Sequence, residues 1–398
     1  YRKGVAYTYE NMFLFYPYHV GDITCVLPLS GSRALLGDND GNVKEWHSGE
    51  DPSSVKMLYP SLGLAVTSLL MDHSGRLWVG TFMDGLYCIE NGRKKRFNTS
   101  NGLSDDSVWA LAEDPSGNMW IGTLGGGLQK YDGTFTTFKA DYTGIRGDYI
   151  SSLAIRDGKE LVIGFADSEV DIMDLSDNSF RRMLSPEEHL AGMSINQVFV
   201  DSRSLVWAGT NAGINVWDGK RIVDLPDDFS LKSEYISGIS EDSFGDIWVV
   251  TGSRLVRVEA RDGTFTQTDY PLPDYLLEDG FNLRSTACLA DGSIVVGKVD
   301  GLVSFSPSEL LSESVRGHVL FVDRDTKATF RLPFSQKVFS AHVMTDRYDY
   351  PVRPVFEYSL GGEWIGVEGN LVTLTNLYPG SYDLVVRIAG TDTVSEPL

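Results

Sequence analysis

A five-residue pattern recurs along this chain at a nearly constant interval, and it limits the possible folds more than any other feature. Leu77-Trp78-Val79-Gly80-Thr81 returns as Met119-Trp120-Ile121-Gly122-Thr123, as Val206-Trp207-Ala208-Gly209-Thr210 and as Ile247-Trp248-Val249-Val250-Thr251. Weaker copies are Ala34-Leu35-Leu36-Gly37-Asp38, Leu161-Val162-Ile163-Gly164-Phe165 and Ile294-Val295-Val296-Gly297-Lys298. The shared glycine position falls at 37, 80, 122, 164, 209, 250 (a valine here) and 297. That spacing suits one four-stranded blade per repeat, and seven copies lie in the range that closes into a ring.

Each repeat reads as strands. In the third copy, Ser107 to Ala112 is the innermost strand and Asp114-Pro115-Ser116-Gly117-Asn118 a tight turn with glycine where φ must be positive. Met119 to Thr123 is the second strand, Leu128 to Asp132 the third and Thr134 to Lys139 the outermost, which leaves no room for long helices. The repeated Trp78, Trp120, Trp207 and Trp248 hold one register position in the second strand, where a large ring wedges between neighbouring blades. The last repeat has a third strand, Gly301 to Phe305, but no clear fourth. The N-terminus carries half a unit: Lys3 to Tyr7 aligns with a third strand and Met12 to Tyr16 with an outer one. Residues 1–18 are therefore expected to latch the ring by supplying the missing outer strand, which removes an open sheet edge.

After Phe305 the repeat stops. Ser306 to Leu310 reads as a short helical link, followed by strands at Val338 to Val343, Val355 to Leu360, Leu371 to Leu377 and Tyr382 to Ile388. The expected fold is all-β: a seven-bladed β-propeller over 1–310, then a small fibronectin type III-like β-sandwich over 311–398. A length of 398 residues accommodates one large domain and one small one.

The net charge of −21 disfavours nucleic acid and broad contact with anionic lipid, since both require many cations at the surface. Cys25, Cys88 and Cys288 are too few for a disulfide framework and read as buried thiols. The sequence contains no run of 18 apolar residues. It opens Tyr1-Arg2-Lys3 without a leader, and the expectation is a processed or excised fragment.

The unit Asp72-His73-Ser74-Gly75-Arg76-Leu77-Trp78-Val79-Gly80-Thr81, running on to Gly85-Leu86, resembles the two-component regulator propeller repeat. The tail is similar to the Y_Y_Y domain that follows such propellers. Its Phe356-Glu357-Tyr358-Ser359-Leu360 stands where the family has Y-x-Y-x-L, followed by Trp364 and by Thr375 to Tyr382. Phe356 departs from the family's first tyrosine. The resemblance implies the periplasmic sensor region of a hybrid two-component regulator of gut Bacteroidetes, which detects glycan fragments. It further implies an upstream propeller in the same full-length chain, a membrane helix and a histidine kinase beyond this segment, and a homodimer formed through the sandwich.

Catalytic constellations are scarce. The histidines His19, His47, His73, His189, His318 and His342 show no metal-ligand spacing, and there is no nucleophile elbow or phosphate-binding loop. Gly125-Gly126-Gly127 lacks the Lys and Ser or Thr of a phosphate loop and reads as a turn. Asp38-Asn39-Asp40-Gly41-Asn42 lacks the spacing of a calcium loop. No catalytic residue, metal or cofactor is assigned, and the fragment is read as a binding module. A polysaccharide lyase or hydrolase would need a base, a charge stabiliser and often a metal near the axis. A protein-interaction scaffold would need a large exposed apolar patch. The expected ligand face is the one formed by the outer-to-inner loops and the second-to-third turns. It carries Phe82, Asp84, Tyr149, Asn211, Tyr235, Arg254, Arg284 and Lys298. Aromatic platforms with planar hydrogen-bonding groups suit a sugar, and the three cations in adjacent repeats suit an acidic one, with Asp300 diluting the field.

Overall fold

The computed structural model describes residues 13–17, 20–49, 55–167, 170–183, 190–192, 194–227, 229–261, 263–272, 276, 279–312, 319–321, 338–345, 356–367, 369–375, 377–389, 394–395 and 397–398. The chain divides into two units, one over Phe13–Pro307 and one that takes in Ser308–Leu398.

In the first unit the described residues form seven antiparallel sheets of three or four strands, the first six each a meander in chain order. The third is typical, with strands Val108–Glu113, Met119–Thr123, Leu128–Tyr131 and Phe135–Phe138. The innermost strands adjoin one another in chain order and the last adjoins the first, so the unit is propeller-type. In the last sheet the outer strand is Phe13–Pro17, which pairs antiparallel with Gly301–Phe305. The half-repeat at Lys3 to Tyr7 lies outside the described residues.

The repeated motif has a two-part physical basis. Asp114 is buried and accepts the backbone N–H groups of Ser116 (2.9 Å) and Asn118 (3.0 Å), which closes the turn. Its other oxygen accepts the indole N–H of Trp120 at 2.9 Å. Asp72, Asp201 and Asp242 hold Trp78, Trp207 and Trp248 in the same way, at 2.8, 3.0 and 2.8 Å. A buried indole needs a partner for its N–H, and the aspartate six residues earlier supplies one while fixing the hairpin. The four rings are almost completely buried.

The second element is the glycine at the fourth position of the motif, two residues after the tryptophan where the repeat has one. A Cβ on Gly37 would lie 2.5 Å from Val66, and one on Gly122 would lie 2.5 Å from Ile150. In each case the neighbour is the β-branched residue that opens the next sheet, so the missing side chain lets adjacent sheets nest. Gly164 and Gly209 meet Ile195 and Ile236 in the same way, each at 2.7 Å.

The first six innermost strands each carry a bulge at one residue: Thr24, Thr67, Trp109, Ser151, Asn196 and Ser237. From four of these positions a polar side chain crosses to the next sheet. Thr24 donates to the Val66 carbonyl, Thr67 to Val108, Ser151 to Ile195 (2.6 Å) and Asn196 to Ile236 (2.8 Å). Asn282 closes the series by donating to the Ile23 carbonyl at 2.8 Å.

Helix Pro307–Ser312 stands where the helical link was expected. In the second unit the sheet of Val319–Phe321, Val338–Thr345 and Leu371–Thr375 accompanies one of Phe356–Ser359, Ile365–Gly366 and Val385–Ile388. Both contribute to one core that includes Val319, Ala341, Val343, Phe356, Val372, Val386 and Ile388. Phe356 is buried there, where a tyrosine hydroxyl would need a partner. All three cysteines are free, and only Cys25 is fully buried. Cys88 and Cys288 are half-buried, a correction to the expectation of three buried thiols.

Candidate functional site

One face of the propeller unit is built on two repeating register positions. In the first five sheets the residue just after the second strand donates its backbone N–H to the residue just before the innermost strand. The pairs are Asn39 to Asp22 (2.9 Å), Phe82 to Ala65 (2.9 Å), Leu124 to Ser107 (3.0 Å), Ala166 to Tyr149 (2.9 Å) and Asn211 to Ser194 (3.2 Å). These bonds tie the second-to-third turns to the outer-to-inner loops, so both surround one mouth of the ring. Side chains of the third strands hold the loops from below. Gln129 accepts the N–H of Ser104 (2.8 Å), Asp171 that of Arg146 (2.8 Å) and Asn215 that of Ala191 (2.8 Å).

Seven of the eight expected ligand residues separate into two groups. Tyr149 and Tyr235 hold the same register position in the fourth and sixth sheets, and both are about half exposed, at 51% and 47%. Asn211 is exposed and Phe82 half-buried on the companion position. These four residues turn toward solvent around the mouth.

Asp84, Arg254 and Lys298 are bound into the fold. Asp84 accepts the Tyr87 hydroxyl at 2.6 Å and pairs with Arg96. Burial, followed by this carboxylate, pushes the Tyr87 pKa up to about 12. Arg254 pairs with Glu234 at 2.7 Å and with Asp269 at 3.4 Å. Lys298 is fully buried, donates to the Leu276 carbonyl at 2.8 Å and lies 3.3 Å from Asp300. The expected cluster of three cations in adjacent repeats is therefore neutralised at two of its members.

Arg284 is the exception. It sits in the last innermost strand, where residues 282–285 loop out between the paired positions Phe281 and Thr286. Its backbone is left-handed, with φ of 59°. The side chain crosses the ring axis: one guanidinium nitrogen donates to the Ser151 carbonyl, and the group lies 4.7 Å over the Trp109 ring. Burial pushes its pKa down to about 10, against the weaker opposing pull of Cys25 and Tyr235. Nearby at the mouth, burial raises the pKa of Asp22. A hydrogen bond from Asn282 opposes that shift, while Asp38 and Asp40 add to it.

Trp109 was not among the expected site residues. The signal for it was available, since the bulge register is polar in most other repeats and aromatic only here.

Two segments, residues 61–83 and 102–125, match the family described as Two component regulator propeller. These two segments carry the two-component regulator propeller repeat. Both matches run from the loop entering a sheet to the residues after its second strand, and so include the mouth-facing positions at Phe82 and Leu124. No curated protein matches the sequence.

Solved structures share the fold of these repeats. The extracellular domain assigned to the hybrid two component system BT3049 of B. thetaiotaomicron aligns at a TM-score of 0.70 and 19% identity, over 96% of this chain and 57% of that one. That of BT4673 from the same organism aligns at 0.61 and 14% identity, over 96% and 58%. Virginiamycin B lyase from Staphylococcus aureus, solved with quinupristin, aligns at 0.60 and 12% identity, over 74% and 98%. The present chain thus spans a little over half the length of the two B. thetaiotaomicron domains. Among the described residues no helix is long and apolar enough to cross a membrane.

Proposed function

We propose that this chain is part of the ligand-sensing region of an extracytoplasmic two-component sensor, and that it recognises an oligosaccharide at the loop-lined mouth of the propeller unit. The observation that carries the reading is the pair of half-exposed tyrosines, Tyr149 and Tyr235, at equivalent positions on that rim, with Asn211 and Phe82 on the companion position. Sugars bind on aromatic faces with a few planar polar groups beside them, and this rim offers both on loops held rigidly from below. Asp84, Arg254 and Lys298 serve the site from within, by fixing its turns. The propeller repeats and the likeness to hybrid two component extracellular domains support the sensing role. The second unit would carry the output as part of a homodimer, in a periplasmic protein with a further propeller and a histidine kinase. A ligand would act by favouring one of two arrangements of that dimer.

The test is an oligosaccharide array probed with the intact chain, followed by titration of the best binder against Tyr149→Ala and Tyr235→Ala. Each substitution is expected to weaken binding about tenfold, the scale of losing one aromatic contact. An array with no binder, or binding unchanged in both variants with the fold intact, would refute the proposal.

A further inference from the structure

Among the described residues, the axis of the propeller unit holds a cation with no counter-charge beside a donor with no acceptor. Among the described residues Arg284 makes no ion pair, and its one hydrogen bond is to the Ser151 carbonyl. The groups whose charges bear on it are Cys25 and Tyr235. Burial holds the Cys25 thiol up at about 12, so it is neutral at pH 7. Beside the guanidinium, the indole N–H of Trp109 is buried and has no partner. An unpaired buried donor and an uncompensated, partly buried charge are both costly, and proteins retain them where something else completes the set. The arrangement is also backed by local strain, since Arg284 is held in a left-handed conformation that non-glycine residues rarely adopt.

We infer that the ring axis is an oxyanion site, in which the Arg284 guanidinium and the Trp109 indole N–H together receive a carboxylate or sulfate group of a saccharide ligand. The pair sets a planar charged fork over the ring that carries a neutral donor, the combination that suits a carboxylate or sulfate. Tyr235, on the rim and within electrostatic reach of Arg284, connects this site to the sugar platform at the mouth. The inference rests on the sensing role proposed above and narrows its ligand to an acidic saccharide.

The experiment is to titrate the intact chain with glucuronate, glucose and inorganic sulfate, reading tryptophan fluorescence and thermal midpoint. The same titrations are run on Arg284→Gln, on Trp109→Phe, and on Lys94→Gln/Lys95→Gln. The last variant removes exposed cations of the outer strand Arg93–Phe97, where an anion could bind adventitiously. The inference predicts that glucuronate and sulfate perturb the fluorescence and raise the midpoint while glucose does neither. Arg284→Gln weakens both anions about tenfold or more. Trp109→Phe weakens them by a smaller factor, and the outer-strand variant leaves them unchanged. Without anion, Arg284→Gln is expected to melt no lower than the parent chain, because it deletes an uncompensated charge. Anion effects that survive in Arg284→Gln, that disappear in the outer-strand variant, or that are absent from the parent chain would overturn the inference. The two proposals fail separately. Neutral oligosaccharides that bind through Tyr149 and Tyr235 with no contribution from Arg284 would end the oxyanion site and leave the sensing role. Anion binding at Arg284 with no saccharide binding at all would do the reverse.

Discussion

The joint between the third and fourth sheets and the joint between the sixth and seventh are built from the same repeat, yet they pack in opposite ways. At the first, Gly122 leaves room for Ile150 of the next sheet. At the second, the glycine is replaced by Val250, which is fully buried. The small residue has moved to the partner strand, where Gly238 would clash with Thr286 if it carried a Cβ. The seventh sheet brings Thr286, from the middle of its innermost strand, against this glycine, and not a residue that opens the strand. Its innermost strand loops out over residues 282–285 instead and sends Arg284 across the axis. One exchange of glycine for valine thus accompanies the change from a sealed joint to one that delivers a charged side chain to the centre of the ring. Regular packing provides the scaffold, and the departure from it provides the chemistry.

The comparison can be broken by exchanging the two residues. Gly122→Val should cost about 3 kcal/mol or more in unfolding free energy, because Ile150 has nowhere to go. Val250→Gly, although it restores the repeat, should cost about 2 kcal/mol, because it removes a fully buried side chain and leaves a cavity. Urea unfolding monitored by tryptophan fluorescence measures both. A stabilised Val250→Gly would show that the sixth joint is a weakened copy of the others and not a different solution.

A smaller effect is expected at the hairpin turns. Burial acts to raise the pKa of Asp114, but hydrogen bonds from Asn118, Trp120 and Ser116 outweigh it, and the net shift is downward. Asp72 is also lowered, with burial opposed by bonds from Trp78 and Arg76. A carboxylate whose pKa is lower in the folded state contributes stability that is fully present above its unfolded value of about 3.9 and lost as the pH falls through the folded one. Unfolding free energy should therefore hold steady from about pH 7 to 5 as far as these groups are concerned, and fall below about pH 4. Asp114→Asn should lower stability by about 1–2 kcal/mol at pH 7 and show a shallower acid decline. An acid limb of equal slope in the variant would remove the turn aspartates from the explanation.

How much of this was legible in the sequence depends on the distance over which the relevant contacts act. The strand positions of each sheet, the burial of Trp78, Trp120, Trp207 and Trp248, and the pairing of Phe13–Pro17 with the last sheet follow from local pattern repeated at a fixed interval. The face carrying Tyr149 and Tyr235 follows from the same register. The fates of the charged residues do not. Arg254 is neutralised by Glu234 from the preceding loop, and Lys298 by Asp300 and the Leu276 carbonyl, partners that only the folded turns bring together. The position of Arg284 depends on a looped-out stretch that strand alternation cannot anticipate. Trp109 could have been found by asking which repeat breaks the polar character of the bulge register. Sequence pattern alone identified the tryptophans but not the reason for the aspartate six residues before them.

The central claim is that the loop-lined mouth, and not the face of tight turns, receives the ligand. Hydrogen–deuterium exchange of the intact chain, with and without the best saccharide from the array, tests it directly. The account predicts slowed exchange at residues 149–152, 235–238 and 282–285, with the turns at 74–76, 116–118 and 291–293 unchanged. Protection confined to those turns, or to residues beyond 308, would contradict it.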